Sequence, residues 1–522
     1  MGKKNKSRRN TATPAAALPG EPSAGTKTRV GLLVLLGVCV AALVLRLWVN
    51  SASLWYDELY TIAFHVSRPW GDIVSRGPYS ANNHVLSTLL IKGVVSLTGS
   101  LTPLPNSPLP VMLANGDTLS FRLVSIIAGA GLPLALAWKL REQAVSAGLL
   151  ALLAAAHPWL IDLSTEARGY ALTLLLAAIA ANCLAGMRER FSWGYVLTMA
   201  AAVYTLPIAG EILLAHGVAM ALLHRPGLWR WALAAGIVAG LSVMLYLPFL
   251  GGIVHHIGVA DPDGERTTAA SYLLELGQHL ASGWRWGPVW LAAAVGVVLL
   301  AGAAAAWRRA ELRDALVTYG AGTVLAILCA AFDANMRGTR LALWAAPLFV
   351  VACAGLVLAA RGIGTSAAGR RGRALAGAGL GAAMWAMFWS TSLIADFRLA
   401  AIEPQPILTA LRAADASLGD RKEHEGAIVC VYMSASESLL YWQLLHHDQE
   451  IVYKLSDLAA LEKTPRELRL VIFYEDAMGA AQGELAEHIQ AHYVLQERLP
   501  GRISPVAIYG PRLVDPADHQ SR

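Results

Sequence analysis

Long apolar stretches are the feature that most constrains the fold of this chain. A helix needs about 20 apolar residues to cross the hydrocarbon core of a bilayer, and such stretches recur from residue 30 to residue 394. They cover residues 30–49, 118–138, 143–162, 169–187, 193–207, 209–223, 230–250, 289–306, 315–332, 341–360 and 374–394. With 56% apolar and 15% charged residues and a mean hydropathy of +0.48, the composition is that of a membrane protein. We therefore predict an α-helical polytopic membrane protein with about eleven transmembrane helices.

The basic residues indicate how the helices are oriented. Residues 1–29 combine several Lys and Arg with a Pro/Ala/Ser/Gly-rich run, which predicts a disordered cytoplasmic tail. With the N-terminus inside, every inner loop is basic, as the positive-inside rule requires. The inner loops contain Lys139/Arg141, Arg188/Arg190, Arg225/Arg230, Arg308/Arg309/Arg313 and Arg361/Arg370/Arg371/Arg373. The net charge of +6 thus reflects topology, and no pattern of basic and aromatic residues indicates nucleic-acid binding.

One apolar segment in the first outer loop, residues 50–117, is too short for a span. Residues 84–98 carry Lys92 near their middle, and counting them as a span would place the later basic clusters outside. We predict an interfacial helix on the outer face. A short span compensated by a re-entrant segment elsewhere is the alternative.

The composition changes at residue 395 to that of a soluble protein. Residues 427–433 and 468–474 are typical of short buried strands. Residues 436–446, 456–463 and 478–492 are typical of helices. We predict a transmembrane domain over residues 30–394 and a small extracytoplasmic α/β domain over residues 395–522.

Two adjacent carboxylates follow the first apolar stretch, in the sequence Trp55-Tyr56-Asp57-Glu58. Acidic residues flanked by aromatics at a membrane surface are hard to explain as packing, so they are the best candidates for chemistry. The alternative is that they are solvated or cap a helix.

Several motifs in order carry a family resemblance. They are Leu54-Trp55-Tyr56-Asp57-Glu58, Asn83-His84-Val85-Leu86, Phe121-Arg122-Leu123-Val124-Ser125, Ser164-Thr165-Glu166-Ala167-Arg168-Gly169-Tyr170-Ala171-Leu172 and Tyr204-Thr205. Over roughly residues 30–220 the chain resembles the bacterial GT-C membrane glycosyltransferases, relatives of the protein O-mannosyltransferases and the lipid A aminoarabinose transferase. It departs from them in having His84-Val85-Leu86 where relatives usually show a His-Pro-Pro or Lys-Pro-Pro turn.

The resemblance implies a glycosyltransferase of the inner membrane that uses a polyprenyl-phosphate-linked sugar donor and an extracytoplasmic acceptor. It implies that Asp57 is the catalytic base or orients the acceptor, with Glu58 beside it, and that Glu166 is a second acidic residue. Tyr56 and His84 lie in the same motifs and are further substrate-binding candidates. Some relatives use a divalent metal, for which this sequence shows no complete ligand set.

Transfer from a phosphate also requires cations that hold the leaving group. Arg337 and Arg340 lie in a short outer loop, where a planar guanidinium can bind phosphate in a bidentate way. Lys92, Arg122 and Arg168 are weaker candidates for the same pocket. Alternatively, Arg337 and Arg340 are interfacial anchors that reach toward lipid headgroups.

The many predicted spans are also compatible with two other classes of protein. A transporter or lipid-sugar flippase is expected to show inverted repeats and ionisable residues near the bilayer midplane, whereas here such residues gather at the outer ends of the spans. A membrane-anchored scaffold would leave the Asp57 and Glu166 motifs unexplained. The sequence does not name the sugar or the acceptor.

Overall fold

The structure is a computed structural model. It describes residues 24–50, 54, 56–75, 83–98, 118–249, 300–330, 337–362, 407–419, 425–431, 448–473, 478, 482–500 and 505–512. Most of the described chain is helical, and a small sheet lies near the C-terminus. This agrees with the predicted α-helical protein that carries a C-terminal α/β segment.

The helices before the sheet follow the predicted order of apolar segments. They are α1 (Ala24–Val49), α2 (Tyr56–Thr61), α3 (Trp70–Ser75), α4 (Val85–Leu97), α5 (Leu119–Ala137), α6 (Ala144–Ala155), α7 (Pro158–Asp162), α8 (Tyr170–Leu184), α9 (Trp193–Thr205), α10 (Ala209–Leu223), α11 (Leu228–Tyr246), α12 (Ala310–Ala330) and α13 (Arg337–Gly362). Residues 300–307 are helical as well. The predicted span 374–394 and the first part of 289–306 lie outside the described residues.

Five described helical segments are long and apolar enough to cross a membrane, namely Gly25–Val49, Leu119–Leu140, Tyr170–Arg188, Arg225–Phe249 and Ala310–Cys329. Shorter apolar helices accompany them, including Ala144–Ala155, Ala209–Leu223 and Leu343–Ala359. A multi-pass membrane protein follows from this composition and length. The total of eleven spans and the orientation of the termini stay predictions.

The predicted span 143–162 is not one helix, because the helix breaks near its end. α6 ends at Ala155, and Pro158 begins the separate short helix α7. His157, directly before the proline, has an extended backbone (φ −71°, ψ 124°). A residue before proline is disfavoured in the helical region, and proline tolerates the first helical position. The break turns the chain toward the loop that carries Glu166 and Arg168.

The segment predicted to be an interfacial helix forms α4, which packs against α5. Its apolar residues Val85, Ile91 and Val95 are buried, whereas Leu97 is 90% exposed. An apolar residue at the exposed end of the helix suits contact with lipid. The placement of α4 at the membrane interface stays a prediction.

The C-terminal sheet has the strand order β2-β1-β3-β5-β4. Its strands are β1 (Gly426–Val431), β2 (Asp448–Val452), β3 (Glu467–Phe473), β4 (Tyr493–Leu499) and β5 (Val506–Pro511). β2, β1 and β3 are parallel, whereas β5 pairs antiparallel with β3 and β4. The helices around them are α14 (Ile407–Leu418), α15 (Leu455–Leu461) and α16 (Gly483–His492).

The structure confirms both predicted strands, as β1 and β3, to within two residues. The predicted helix 456–463 corresponds to α15, and α16 covers the later part of the predicted helix 478–492. Met478 is helical as well, and residues 479–481 lie outside the described residues. The predicted helix 436–446 lies outside the described residues. The boundaries of the two domains stay predictions.

One continuous hydrophobic cluster joins the region of α2 to the C-terminal segment. It contains Leu59 and Ile62 from the region of α2, together with Leu411 of α14 and Phe473 of β3, all with no exposed surface. Burying a Leu, Ile or Phe side chain contributes roughly 1.5–3 kcal/mol. This apolar face fixes the orientation of α2, which carries the two candidate carboxylates.

Candidate active site

Asp57 and Glu58 lie in the first turn of α2. Consecutive residues of a helix point about 100° apart, so the two carboxylates enter different surroundings. Their side chains differ in exposure, since that of Glu58 has no exposed surface and that of Asp57 is 20% exposed. The fold therefore separates the roles of these neighbours.

Glu58 forms a bidentate ion pair with Arg122 of α5. Arg122 Nε donates to Glu58 Oε1 at 2.8 Å, and Arg122 Nη2 donates to Glu58 Oε2 at 2.6 Å. The backbone N–H of Ala167 donates to Oε1 as well, at 2.6 Å. Both carboxylate oxygens are thus engaged, and the pair ties together α2, α5 and the loop before α8.

Asp57 forms an ion pair with Arg168, whose Nη1 donates to Asp57 Oδ2. The backbone of Arg168 is fixed in turn, because Ser125 Oγ donates to the Arg168 carbonyl at 2.6 Å. The Arg168 guanidinium lies 4.8 Å from the centre of the Tyr170 ring, in a cation–π arrangement. Asp57 is therefore a positioned carboxylate that retains an exposed surface.

His84 is the N-terminal cap residue of α4, and its side chain contacts the same guanidinium. The Gly169 backbone N–H donates to His84 Nδ1 at 2.8 Å. In neutral imidazole this hydrogen-bond pattern assigns the proton to Nε2. Nε2 lies 3.5 Å from Arg168 Nη2. With this tautomer the imidazole N–H and the guanidinium N–H groups lie side by side.

The charges of this cluster follow from its burial. Burial, then Arg168, then His65 hold the pKa of His84 well below its usual value, so the imidazole is neutral at pH 7. Burial acts to lower the pKa of Arg168, but Tyr170, Asp57 and Glu166 together raise it above its usual value. The cluster therefore contains a permanent guanidinium charge beside a neutral histidine. Glu166 is 7% exposed and acts on it electrostatically.

The other predicted phosphate ligands have different surroundings. Arg122 is engaged by Glu58. Lys92 is 6% exposed, and its Nζ donates to the Val66 carbonyl at 2.8 Å and lies 5.5 Å from the centre of the Trp70 ring. Burial lowers the pKa of Lys92. Both cations hold the outer-loop helices in place, so they are less suited than Arg168 to bind a phosphate.

Three predicted residues have side chains outside the described set. Tyr56 is the first residue of α2, directly before Asp57. Arg337 and Arg340 lie in the first turn of α13. Their roles stay predictions.

The structure adds buried polar residues that the sequence reading did not select. Arg46 of α1 donates from Nε to Ser164 Oγ at 2.6 Å and from Nη1 to the carbonyls of Ala42 and Ala155, each at 3.2 Å. An arginine inside an apolar stretch was the signal that could have identified it. It holds the start of the loop that contains Glu166. His65, which follows α2, is the second such residue.

No group of three or more His, Cys, Asp or Glu side chains is arranged as a metal site within the ranges described above. Asp57 and Glu166 are the acidic residues that act electrostatically on Arg168. Use of a divalent metal stays a prediction.

Gly169 allows the close approach of three segments, which gives a test of the cluster. A Cβ at this position would lie 2.6 Å from Thr205 Cγ2 and 3.0 Å from His84 Cβ. We expect Gly169→Ala to displace His84 and to lower the activity at least tenfold, because a small misplacement can cost 10²-fold. Steady-state kinetics of the purified variant measures the effect.

Gly186→Ala is the matched control, because no atom lies within 4 Å of the Cβ that it would add. Equal activity of the two variants would show that the activity does not depend on the observed position of His84.

The chain was compared with known proteins and structures. No family model and no curated protein matches it. It is similar to the crystal structure of ArnT from Cupriavidus metallidurans in the apo state, with 14% sequence identity and a TM-score of 0.48, over 94% of this chain and 100% of that one.

Proposed function

We propose that this protein is an inverting membrane glycosyltransferase that moves a sugar from a polyprenyl-phosphate donor to an extracytoplasmic acceptor. The observation that carries the proposal is the partly exposed carboxylate of Asp57 beside the N–H groups of Arg168 and His84. A base next to donors for a developing negative charge is what such a transfer requires.

In the proposed reaction the acceptor hydroxyl or amine gives its proton to Asp57 while its heteroatom attacks the anomeric carbon. The bond between that carbon and the phosphate oxygen breaks, and its electron pair stays on the polyprenyl phosphate. Attack opposite the leaving group inverts the anomeric configuration, through a transition state with oxocarbenium character. No covalent sugar–enzyme intermediate is needed.

Arg168 and His84 are proposed to stabilise the charge that develops on the phosphate. Arg168 supplies a fixed positive charge, and the neutral imidazole adds a directed donor without further like-charge repulsion. Arg337 and Arg340 are proposed to contribute from the start of α13. The helix α13 that carries them packs on α7, and the Phe349 ring lies 5.6 Å from the His157 ring.

The proposed setting is the inner membrane, with the site on the extracytoplasmic side and the polyprenyl tail between helices. The acceptor is a lipid, a protein or a cell-surface glycan. The C-terminal segment is a candidate for acceptor selection, because it shares a hydrophobic cluster with the outer loop that carries Asp57.

Purified protein in detergent, given a panel of synthetic undecaprenyl-phosphate sugars and a membrane extract, tests the proposal. We expect one donor to lose its sugar to an acceptor that mass spectrometry can identify, with release of undecaprenyl phosphate. Protein reconstituted into vesicles distinguishes a glycosyltransferase from a flippase, because movement of the intact donor can be measured there. Movement of an intact donor across the bilayer without any transfer would contradict the glycosyltransferase assignment.

A further inference from the structure

His65 is a buried polar residue close to the candidate site. Its side chain is 2% exposed. Its Nε2 is buried and has no hydrogen-bond partner among the residues that the structure describes. Leaving a buried ring nitrogen unsatisfied is costly, so such an atom calls for an explanation, and a bound ligand is one.

The helix that begins at Asp57 and Glu58 does not stay regular up to His65. After Thr61 it continues as a π-helix over Ile62–Val66, and the Ser67 N–H donates to the Ile62 carbonyl at 3.0 Å. In a regular α-helix, residues 57 and 65 would point about 80° apart. The wider π turn rotates the chain less per residue, which brings His65 toward the face of Asp57.

This irregular turn is held by specific contacts. Lys92 Nζ donates to the Val66 carbonyl at 2.8 Å, and Ser67 Oγ donates to the Ile62 carbonyl at 2.9 Å. π segments are rare and occur often at functional sites. The buried Lys92 therefore stabilises the turn that orients His65.

Aromatic rings lie next to His65. His65 lies close enough to His84 to act on it electrostatically. The Tyr60 ring is 5.8 Å from the His65 ring and 4.6 Å from the Phe64 ring, and Phe64 is 41% exposed. Apolar aromatic faces with a few directed polar groups are typical of small-molecule sites.

We propose that His65 is a further substrate-binding residue, whose Nε2 forms a hydrogen bond with a hydroxyl group of the transferred sugar. The inference rests on the proposed glycosyltransferase function. A hydroxyl both donates and accepts, so it matches either tautomer of a neutral imidazole. The phosphate remains with Arg168 and His84, which offer donors and a positive charge.

The test is His65→Phe, which keeps an aromatic ring and removes both nitrogens, and His65→Asn, which keeps polar atoms. Two quantities are measured: KM for the undecaprenyl-phosphate sugar that supports transfer, and Kd for sugar-free undecaprenyl phosphate. We expect His65→Phe to raise KM about five- to tenfold, which corresponds to the loss of one neutral hydrogen bond. We expect Kd for the sugar-free lipid to stay within about twofold of the wild-type value.

His492→Phe, at an exposed position of α16, is the matched control. An equal rise in KM for the sugar-bearing lipid and in Kd for the sugar-free lipid would assign His65 to the phosphate and overturn the inference. Unchanged KM in both His65 variants would also overturn it. A thermal melt of each variant identifies misfolding, and if His65→Phe does not fold, His65→Asn decides. Lack of any transfer by the wild-type protein would instead contradict the proposed function.

Discussion

Replacing Asp57 by Asn should lower sugar transfer by about 10²–10⁴-fold, the contribution of a general base. Asn keeps the size of the side chain and its capacity to accept a hydrogen bond from Arg168, but it cannot take the proton of the acceptor. Because the change acts on the chemical step, kcat should fall while KM for the donor changes little. The measurement is steady-state transfer by purified protein.

Asp72→Asn is the matched control for this prediction. Asp72 lies on α3 in the same outer loop and is partly exposed. Its replacement should leave kcat within about twofold of the wild-type value, because surface changes away from a site have small effects. Full activity of Asp57→Asn would remove the central residue of the proposed mechanism.

The sequence identified the pair of carboxylates but not which one remains accessible. Their adjacency predicts that they diverge, so one of them must dominate. The contacts that bury Glu58 come from Arg122 and the Ala167 backbone, 64 and 109 residues away along the chain. No local pattern encodes such contacts, and they depend on how α2, α5 and the loop before α8 pack.

The apolar segments were predicted well because length and hydropathy are local properties. The break between α6 and α7 was missed because residues on both sides of Pro158 are apolar, so hydropathy continues across it. A proline inside an apolar stretch was the available signal. The π turn before His65 has no recognised sequence signal, and it changes which residues share a face.

Three strands were missed, and two of them, β2 and β4, share a physical reason. β2 has the sequence Asp-Gln-Glu-Ile-Val and lies at one edge of the sheet, and β4 at the other edge is mostly exposed. Edge strands commonly carry charged residues and lack the apolar run of a central strand. The interior strands β1, β3 and β5 are buried, and the sequence revealed β1 and β3 but not β5.

Replacing Arg122 by Met should be among the most destabilising single changes in the outer part of the protein. The Arg122–Glu58 pair is almost fully buried, with side-chain exposures of 1% and 0%. Removing one partner leaves a buried charge without its counter-ion, which costs about 3–5 kcal/mol. Transfer activity should fall with it, since Glu58 is the residue next to Asp57 on α2.

The double variant Glu58→Met/Arg122→Met separates charge pairing from packing. Replacing a buried ion pair by apolar residues of similar volume is often close to neutral, so the double variant should unfold at a higher temperature than Arg122→Met alone. It should still transfer sugar more slowly than the wild type, because the apolar pair cannot accept the Ala167 N–H that fixes the loop before α8.

Glu462→Gln is the control for an exposed pair. Glu462 accepts from His488 Nε2 at 2.9 Å near the protein surface, and such pairs contribute about 0–1 kcal/mol. Thermal unfolding in detergent, followed by circular dichroism, compares the three variants with the wild type. Equal stability of Arg122→Met and Glu462→Gln would show that the Arg122–Glu58 ion pair does not fix α2. The orientation of Asp57 would then depend on the hydrophobic cluster around Leu59 and Ile62.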